Sequence, residues 1–395
     1  MTNRPNTPPH TPVRRTPWPE AAGRALATPM QPSVVYTSGS PDELDAHYEG
    51  SEQTYAYARE GHPNADVLAA KLDAMEGGQG GIVVGSGMAA ITAVVLGLCQ
   101  AGDHVLGGNQ LYGKSLKMLG TDLPRLGIAT STADFTDVAA VEAAIRPETK
   151  LILLEVVSNP TIRVADVTGI AALAKKHGIL LAVDNTFTTP RSFRPFDHGA
   201  DVVIHSVTKI LAGHSDATLG YACALLPEHN AALAMASSTW GLTASPFDCW
   251  IAERGLYSFD LRYDQAERNA AALADHLVGL KGVKRVLYPT RADHPDAPRG
   301  AELLGARGSH MVSFEIEGGR AEANRLVRAV PELPFAPTLG DVATTISHPC
   351  TSSHRLLSAE ALAELGINEG FFRISVGIEE TDMILGSFTR ALEAI

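Results

Sequence analysis

Between Asp66 and Gly220 short apolar runs alternate with segments of helical periodicity, and few folds accommodate that order. GIVV, HVLGG, LILLEVVSNP, ILLAVDNT and ADVVIHSVTK are strand candidates, largely apolar and bounded by Gly, Asn or Pro, as buried parallel strands are. Between and before them, ADVLAAKLDAMEG, VAAVEAAI and IAALAKKHG place apolar residues at three- and four-residue spacing, as amphipathic helices do. The alternation predicts an α/β fold with a mostly parallel central sheet and helices on both faces. Past the helix-like run YDQAERNAAALADHLVGL the texture changes. There VKRVLYP and MVSFEIEGG read as strands of a smaller α+β domain. A chain of 395 residues is too long for one simple core. We expect an extended arm over residues 1–63, a large domain over 64–255 and a small C-terminal domain over 256–395.

Composition excludes several classes of function. The formal charge of −12, with no basic run, argues against a nucleic-acid surface. Every long apolar stretch is broken by glycines or polar residues, so no membrane span is expected. Cys99, Cys223, Cys249 and Cys350 are scattered without a CxxC pair. That pattern suits reduced thiols in a cytoplasmic protein and no metal site. The opening MTNRPNTPPHTPVRRTPWPE is rich in Pro and Thr and lacks the apolar core of a secretory signal, so a flexible arm is expected.

Two of the strand-like runs deliver an acid and a lysine: Asp184 after LLAV and Lys209 after DVVIHSVT. Polar residues at the carboxyl ends of parallel strands face the crevice where open α/β sheets bind ligands. There the pair suits pyridoxal 5′-phosphate, with the lysine as Schiff base and the carboxylate holding the pyridine nitrogen protonated. A structural ion pair is the alternative. Three patterns compete for a phosphate. Ser86, Gly87 and Met88 open a helix after GIVV, where backbone N–H groups meet an anion. The same glycines fit a loose dinucleotide pattern, but HVLGGNQ supplies no acid for a ribose. Gly108–Ser115 matches GxxxxGK[ST], the nucleotide phosphate loop, although Leu111-Tyr112 is bulky for such a loop. Ser206 and Thr208 put two hydroxyls beside Lys209.

SGMAA, YAR, NPT, AVDNTF, HSVTK, SPFDCW, RGL, HP and RISVGIEE follow in order along the chain. In this the sequence resembles the trans-sulfuration (Cys/Met metabolism) enzymes of fold type I, which depend on pyridoxal phosphate, from about residue 50 to the C-terminus. The resemblance implies that Lys209 carries the Schiff base and Asp184 partners the pyridine nitrogen. It implies that Ser86, Gly87, Met88, Ser206 and Thr208 cradle the phosphate, joined by Tyr57 and Arg59 of a neighbouring subunit. Asn159 would bond the phenolic oxygen of the cofactor, and Tyr112 would stack on its ring. Arg373 would grip the substrate α-carboxylate. A homo-oligomer is implied, a tetramer built as two dimers, acting on a small amino acid. Lys209 would move the protons, and Tyr112 could assist the leaving group.

The family's substrate choice does not transfer directly. Where members read YGGT or YGCT, this chain has Tyr112-Gly113-Lys114-Ser115. Where SLGG is usual it has Thr338-Leu339-Gly340-Asp341, preceded by Pro337 and followed by Ala343. Thr338 is expected to crowd the substrate pocket with its methyl group. Lys114 is expected to meet a distal anion, or else to be a solvated lysine at a helix start. The resemblance thus implies elimination or replacement at Cγ, as in cystathionine γ-lyase or γ-synthase, with cystathionine β-lyase and methionine γ-lyase as alternatives. A P-loop nucleotide-binding protein remains the reading from another class.

Overall fold

The computed structural model describes residue 23 and residues 25–50, 55–355 and 357–395. Its larger sheet has seven strands: β1 (Ile82–Val84), β2 (His104–Gly108), β3 (Ala129–Ala133), β4 (Thr149–Glu155), β5 (Leu180–Asp184), β6 (Val202–His205) and β7 (Gly220–Ala224). Their spatial order is β1-β7-β6-β5-β4-β2-β3. β2 to β6 run parallel, and β7 runs antiparallel to both β1 and β6. The central strands explain why their sequences are apolar without alternation. Ile152, Leu154, Leu181 and Val183 face one core, whereas Leu151, Leu153, Ala182 and Val202 face another on the opposite side of the sheet. Burying one such side chain stabilises by about 1.5–3 kcal/mol, so both faces contribute.

Two strands of this sheet carry no apolar run. β3, ATSTA, is an edge strand with no fully buried residue. β7, GYACA, carries only small residues (Gly220, Ala222, Ala224) on the face against the helix Gly87–Leu98, whereas Tyr221 and Cys223 point into the other core. A Cβ on Gly220 would meet the Ser86 carbonyl oxygen at 2.0 Å. The demand for small side chains there overrides the usual preference for β-branched ones.

The smaller sheet holds β8 (Val283–Leu287), β9 (Met311–Ile316), β10 (Thr345–Ser347) and β11 (Phe371–Ser375), antiparallel in the order β10-β11-β9-β8. Phe314, Phe372 and Ile374 pack under the helices Phe259–Val278 and Thr381–Glu393, with Leu273, Leu277 and Phe388. Met311 and Phe371 project from the other face into the core of the large sheet. Side chains along a strand alternate faces, so Arg373, two residues beyond Phe371, also turns toward the large sheet. No described helix is long and apolar enough to cross a membrane. The described part of the N-terminal arm lies along its own chain. Thr28 accepts the Trp250 indole N–H at 2.8 Å, and Asn64 bonds Pro29 and Gln31. Most of the Pro-rich start lies outside the described residues.

Candidate active site

Asp184 closes β5, but the run ADVVIHSVTK leaves the sheet earlier than expected: β6 ends at His205, and Lys209 stands beyond it in a turn. The two ends are tied through Thr186: its N–H donates to Asp184 Oδ1 at 3.0 Å, and its hydroxyl oxygen accepts the Ser206 N–H at 2.7 Å. Burial raises the Asp184 carboxyl above its ordinary range, while the Thr186 hydrogen bonds and His205 pull it back. Burial, then the charge of Arg373, lowers the Lys209 ammonium. The ion pair that the sequence leaves open is absent among the described residues, where Asp184 Oδ1 accepts the Thr186 N–H instead. Each is a half-buried ionisable group without an opposite charge bonded to it among the described residues.

Two of the three phosphate patterns converge beside this pair. Ser86 caps the helix Gly87–Leu98, its hydroxyl accepting the Ala89 N–H at 3.0 Å. The first N–H groups of a helix have no partner within it, so those of Gly87 and Met88 are open to an anion. A Cβ on Gly87 would lie 2.6 Å from the Ser206 Cβ, so glycine is what lets the serine reach this helix end. The Thr208 hydroxyl is engaged elsewhere. It donates to the Leu219 carbonyl at 3.1 Å and accepts the Leu219 N–H at 2.9 Å, so its proton must turn to reach a phosphate.

The third pattern is not a phosphate loop. The N–H groups of Asn109, Leu111 and Tyr112 already donate to Ala133, Gly108 and the Glu155 carboxylate. Ser115 is buried against Met88, and a phosphate at Tyr112 would face the Glu155 carboxyl.

Arg373 reaches this group from β11. Its guanidinium donates to Asn159 Oδ1 and to the Thr338 carbonyl, both at 2.7 Å, and its buried Nε has no partner. Burial holds it down at about 10, against the opposing influence of Tyr112. Thr338 therefore contributes its main chain, and the structure records no side-chain hydrogen bond from it. The Thr338–Asp341 segment lies on the lysine turn, because a Cβ on Gly340 would meet Ile210 N at 2.3 Å. Tyr112 is 38% exposed at the start of the short helix Gly113–Lys117, and Lys114 in its first turn is exposed. Tyr57 and Arg59 stand apart on the surface. Arg59 stacks on Tyr57 and donates to Ser238, at the end of the helix Pro227–Trp240.

Two features were not assigned to this site from the sequence, where the acid of LILLE is read only as a possible magnesium-holding strand of the phosphate-loop alternative. Glu155 ends LILLE as Asp184 ends LLAVD, and the two are register partners on neighbouring strands. Buried Glu76 accepts from His205 and from Asn185 Nδ2, bracing both strand ends from behind. The first had a signal in the repeated pattern of an apolar run ending in an acid. The second had none, because Glu76 lies far away in the chain.

Comparison with known proteins agrees with this geometry. The family model described as Cys/Met metabolism PLP-dependent enzyme matches residues 13–393. A cystathionine β-lyase of Bacillus subtilis (strain 168) is 38% identical, covering 94% of this chain and 92% of its own. An L-methionine γ-lyase of Pseudomonas putida is 34% identical, covering 95% and 94%. The crystal structure of cystathionine γ-synthase from Xanthomonas oryzae pv. oryzae, in complex with aminoacrylate and cysteine, superposes with a TM-score of 0.89. It is 34% identical and covers 95% of each chain. The chain belongs to the Cys/Met metabolism family of pyridoxal phosphate-dependent, fold type I enzymes, which act on sulfur amino acids.

Proposed function

We propose that this enzyme breaks or exchanges the bond at Cγ of cystathionine or of an acylated homoserine. The observation that carries this reading is the grouping of Lys209, Arg373 and Tyr112, with exposed Lys114 two residues beyond Tyr112. The residues fit the cofactor. A half-buried lysine and a half-buried aspartate without opposite charges suit a group that offers an aldehyde to one and a pyridine nitrogen to the other. The open helix N-terminus with the unpartnered Ser206 hydroxyl suits its phosphate. When bound, pyridoxal phosphate supplies an electron sink conjugated to the substrate Cα.

The chain's own groups do the rest. Asp184 would set its negative charge at the ring nitrogen, while Gly87, Met88 and Ser206 would hold the phosphate. Arg373, set by Asn159 and Thr338, keeps an unpartnered Nε with which its planar guanidinium would bond a substrate carboxylate. Its charge and the burial of Lys209 favour the neutral amine, which takes the Cα proton through Nζ. The Tyr112 hydroxyl delivers a proton to the departing sulfur or ester oxygen at Cγ. Lys114 meets the distal carboxylate of the substrate.

The division into residues 1–63, 64–255 and 256–395 follows the change from the large sheet to the small one. A homotetramer is supported by Met235 and Trp240, 68% and 57% exposed on one helix, and by the outlying Tyr57 and Arg59. The four free cysteines suit a cytoplasmic setting. A second reading, β-elimination, is favoured by the identity with the Bacillus subtilis β-lyase. Incubation with cystathionine separates the two: cysteine and 2-oxobutanoate report cleavage at Cγ, whereas homocysteine and pyruvate report cleavage at Cβ and overturn the proposal.

A further inference from the structure

We propose that Glu155 stands protonated beside Asp184, and that as a neutral acid it fixes the Tyr112 turn while Asp184 keeps the pair's single negative charge. The inference concerns the cofactor floor and holds whichever substrate the enzyme takes. Glu155 and Asp184 are register partners on β4 and β5. Partners on neighbouring parallel strands lie one strand spacing apart, about 4.8 Å, with side chains on the same face. Both side chains are half-buried, and two carboxyl groups rising side by side from neighbouring strands repel when both are charged, which favours one proton shared by the pair.

Their surroundings decide which one holds it. Asp184 Oδ1 accepts the Thr186 N–H at 3.0 Å, and His205 on β6 adds favourable charge. Glu155 Oε1 accepts only the Tyr112 N–H, at 2.7 Å. Asp134 and Arg163 share a small cavity with Glu155, but Arg163 is held by Asp296 at 2.7 Å. Among the described residues no cation forms an ion pair with Glu155, and Arg373 donates to Asn159 and Thr338 instead. Burial, then Asp184, raises its carboxyl well above the ordinary range. Glu155 is thus a positioning residue: it sets Tyr112 over the site without placing a second negative charge beside the ring nitrogen.

The test unfolds the pyridoxal phosphate-loaded protein and its Glu155→Gln variant across pH. In the unfolded chain Glu155 ionises near 4.5, whereas in the fold it stays neutral. Stability from this group is therefore fully present below that value and lost as pH rises. Relative to Glu155→Gln, the wild-type folding constant should fall about tenfold per pH unit from about pH 5 upward. Parallel curves overturn the proposal. So does a Glu155→Gln variant that fails to fold where Glu155→Asp succeeds. On the wild type alone, isotope-edited infrared of labelled glutamate should show a protonated carbonyl band above neutral pH, and its absence also overturns it. The positioning half predicts that Glu155→Ala, which removes the Tyr112 N–H acceptor, has kcat at least about tenfold below Glu155→Gln. Equal kcat values overturn that half.

Discussion

Gly340→Ala tests whether the small domain sets the catalytic lysine. Gly340 has φ +81°, and a Cβ there would lie 2.3 Å from Ile210 N and 2.9 Å from the Lys209 carbonyl carbon. Left-handed backbone costs a non-glycine residue about 1–2 kcal/mol. Forcing a methyl against main chain costs about 1–3 kcal/mol more, because backbone cannot swing aside as a side chain can. The sum is a loss of about 2–5 kcal/mol. Gly178→Ala is the matched control. Its φ is +66°, it caps a surface helix, and a Cβ there meets nothing within 4 Å, so only the conformational cost applies. A displacement of the lysine turn by about 1 Å should reduce kcat on the order of 100-fold, whereas Gly178→Ala should stay within about twofold. Denaturant unfolding and steady-state kinetics on cystathionine read both numbers. If the two variants match in stability and in kcat, the close approach does not position Lys209 and the reasoning fails.

Other consequences can be measured in the same assays. Tyr112→Phe should lower kcat by roughly 10²–10⁴-fold if its hydroxyl moves a proton, and near-full activity would leave it only a stacking role. Lys114→Ala should raise KM for cystathionine more than for methionine, and equal effects would make it a solvated lysine. His310 is fully buried, held down to about 3 by burial first and then by Arg373 and Arg262. Its unfolded value is 6.5, so this stability is present above 6.5 and lost as pH falls toward about 3. Relative to His310→Leu, the wild-type folding constant should fall about tenfold per pH unit through that window. Acid unfolding curves that stay parallel would show that His310 is not the responsible group.

How much was legible depended on how local each feature is. The strand that ends in Asp184 and the one that leads toward Lys209 announced themselves because a strand buried on both faces must be apolar at consecutive positions. β3 and β7 did not, one being an exposed edge and the other held to small residues on the face under the helix. β10 ends just before His348-Pro349 and β11 overlaps the start of RISVGIEE, segments read as motifs rather than as strands. Among the site residues, Gly87 and Ser206 were expected at one phosphate and do converge. The Thr208 hydroxyl met a neighbour, Leu219, that only the antiparallel return of β7 brings close.

The amino-acid order alone determined the alternating α/β layout, the acid and lysine at strand ends, and the helix start that opens to an anion. Each follows from residues adjacent in the chain, through periodicity, capping and chain direction. Tertiary structure decided which residues share a hydrogen bond. It turned Arg373 toward Asn159, set Gly340 on the lysine turn, placed Glu155 against Asp184 and ruled out the Gly108–Ser115 phosphate loop. Those choices depend on register and domain packing, which join positions far apart in sequence and leave no mark in any single segment.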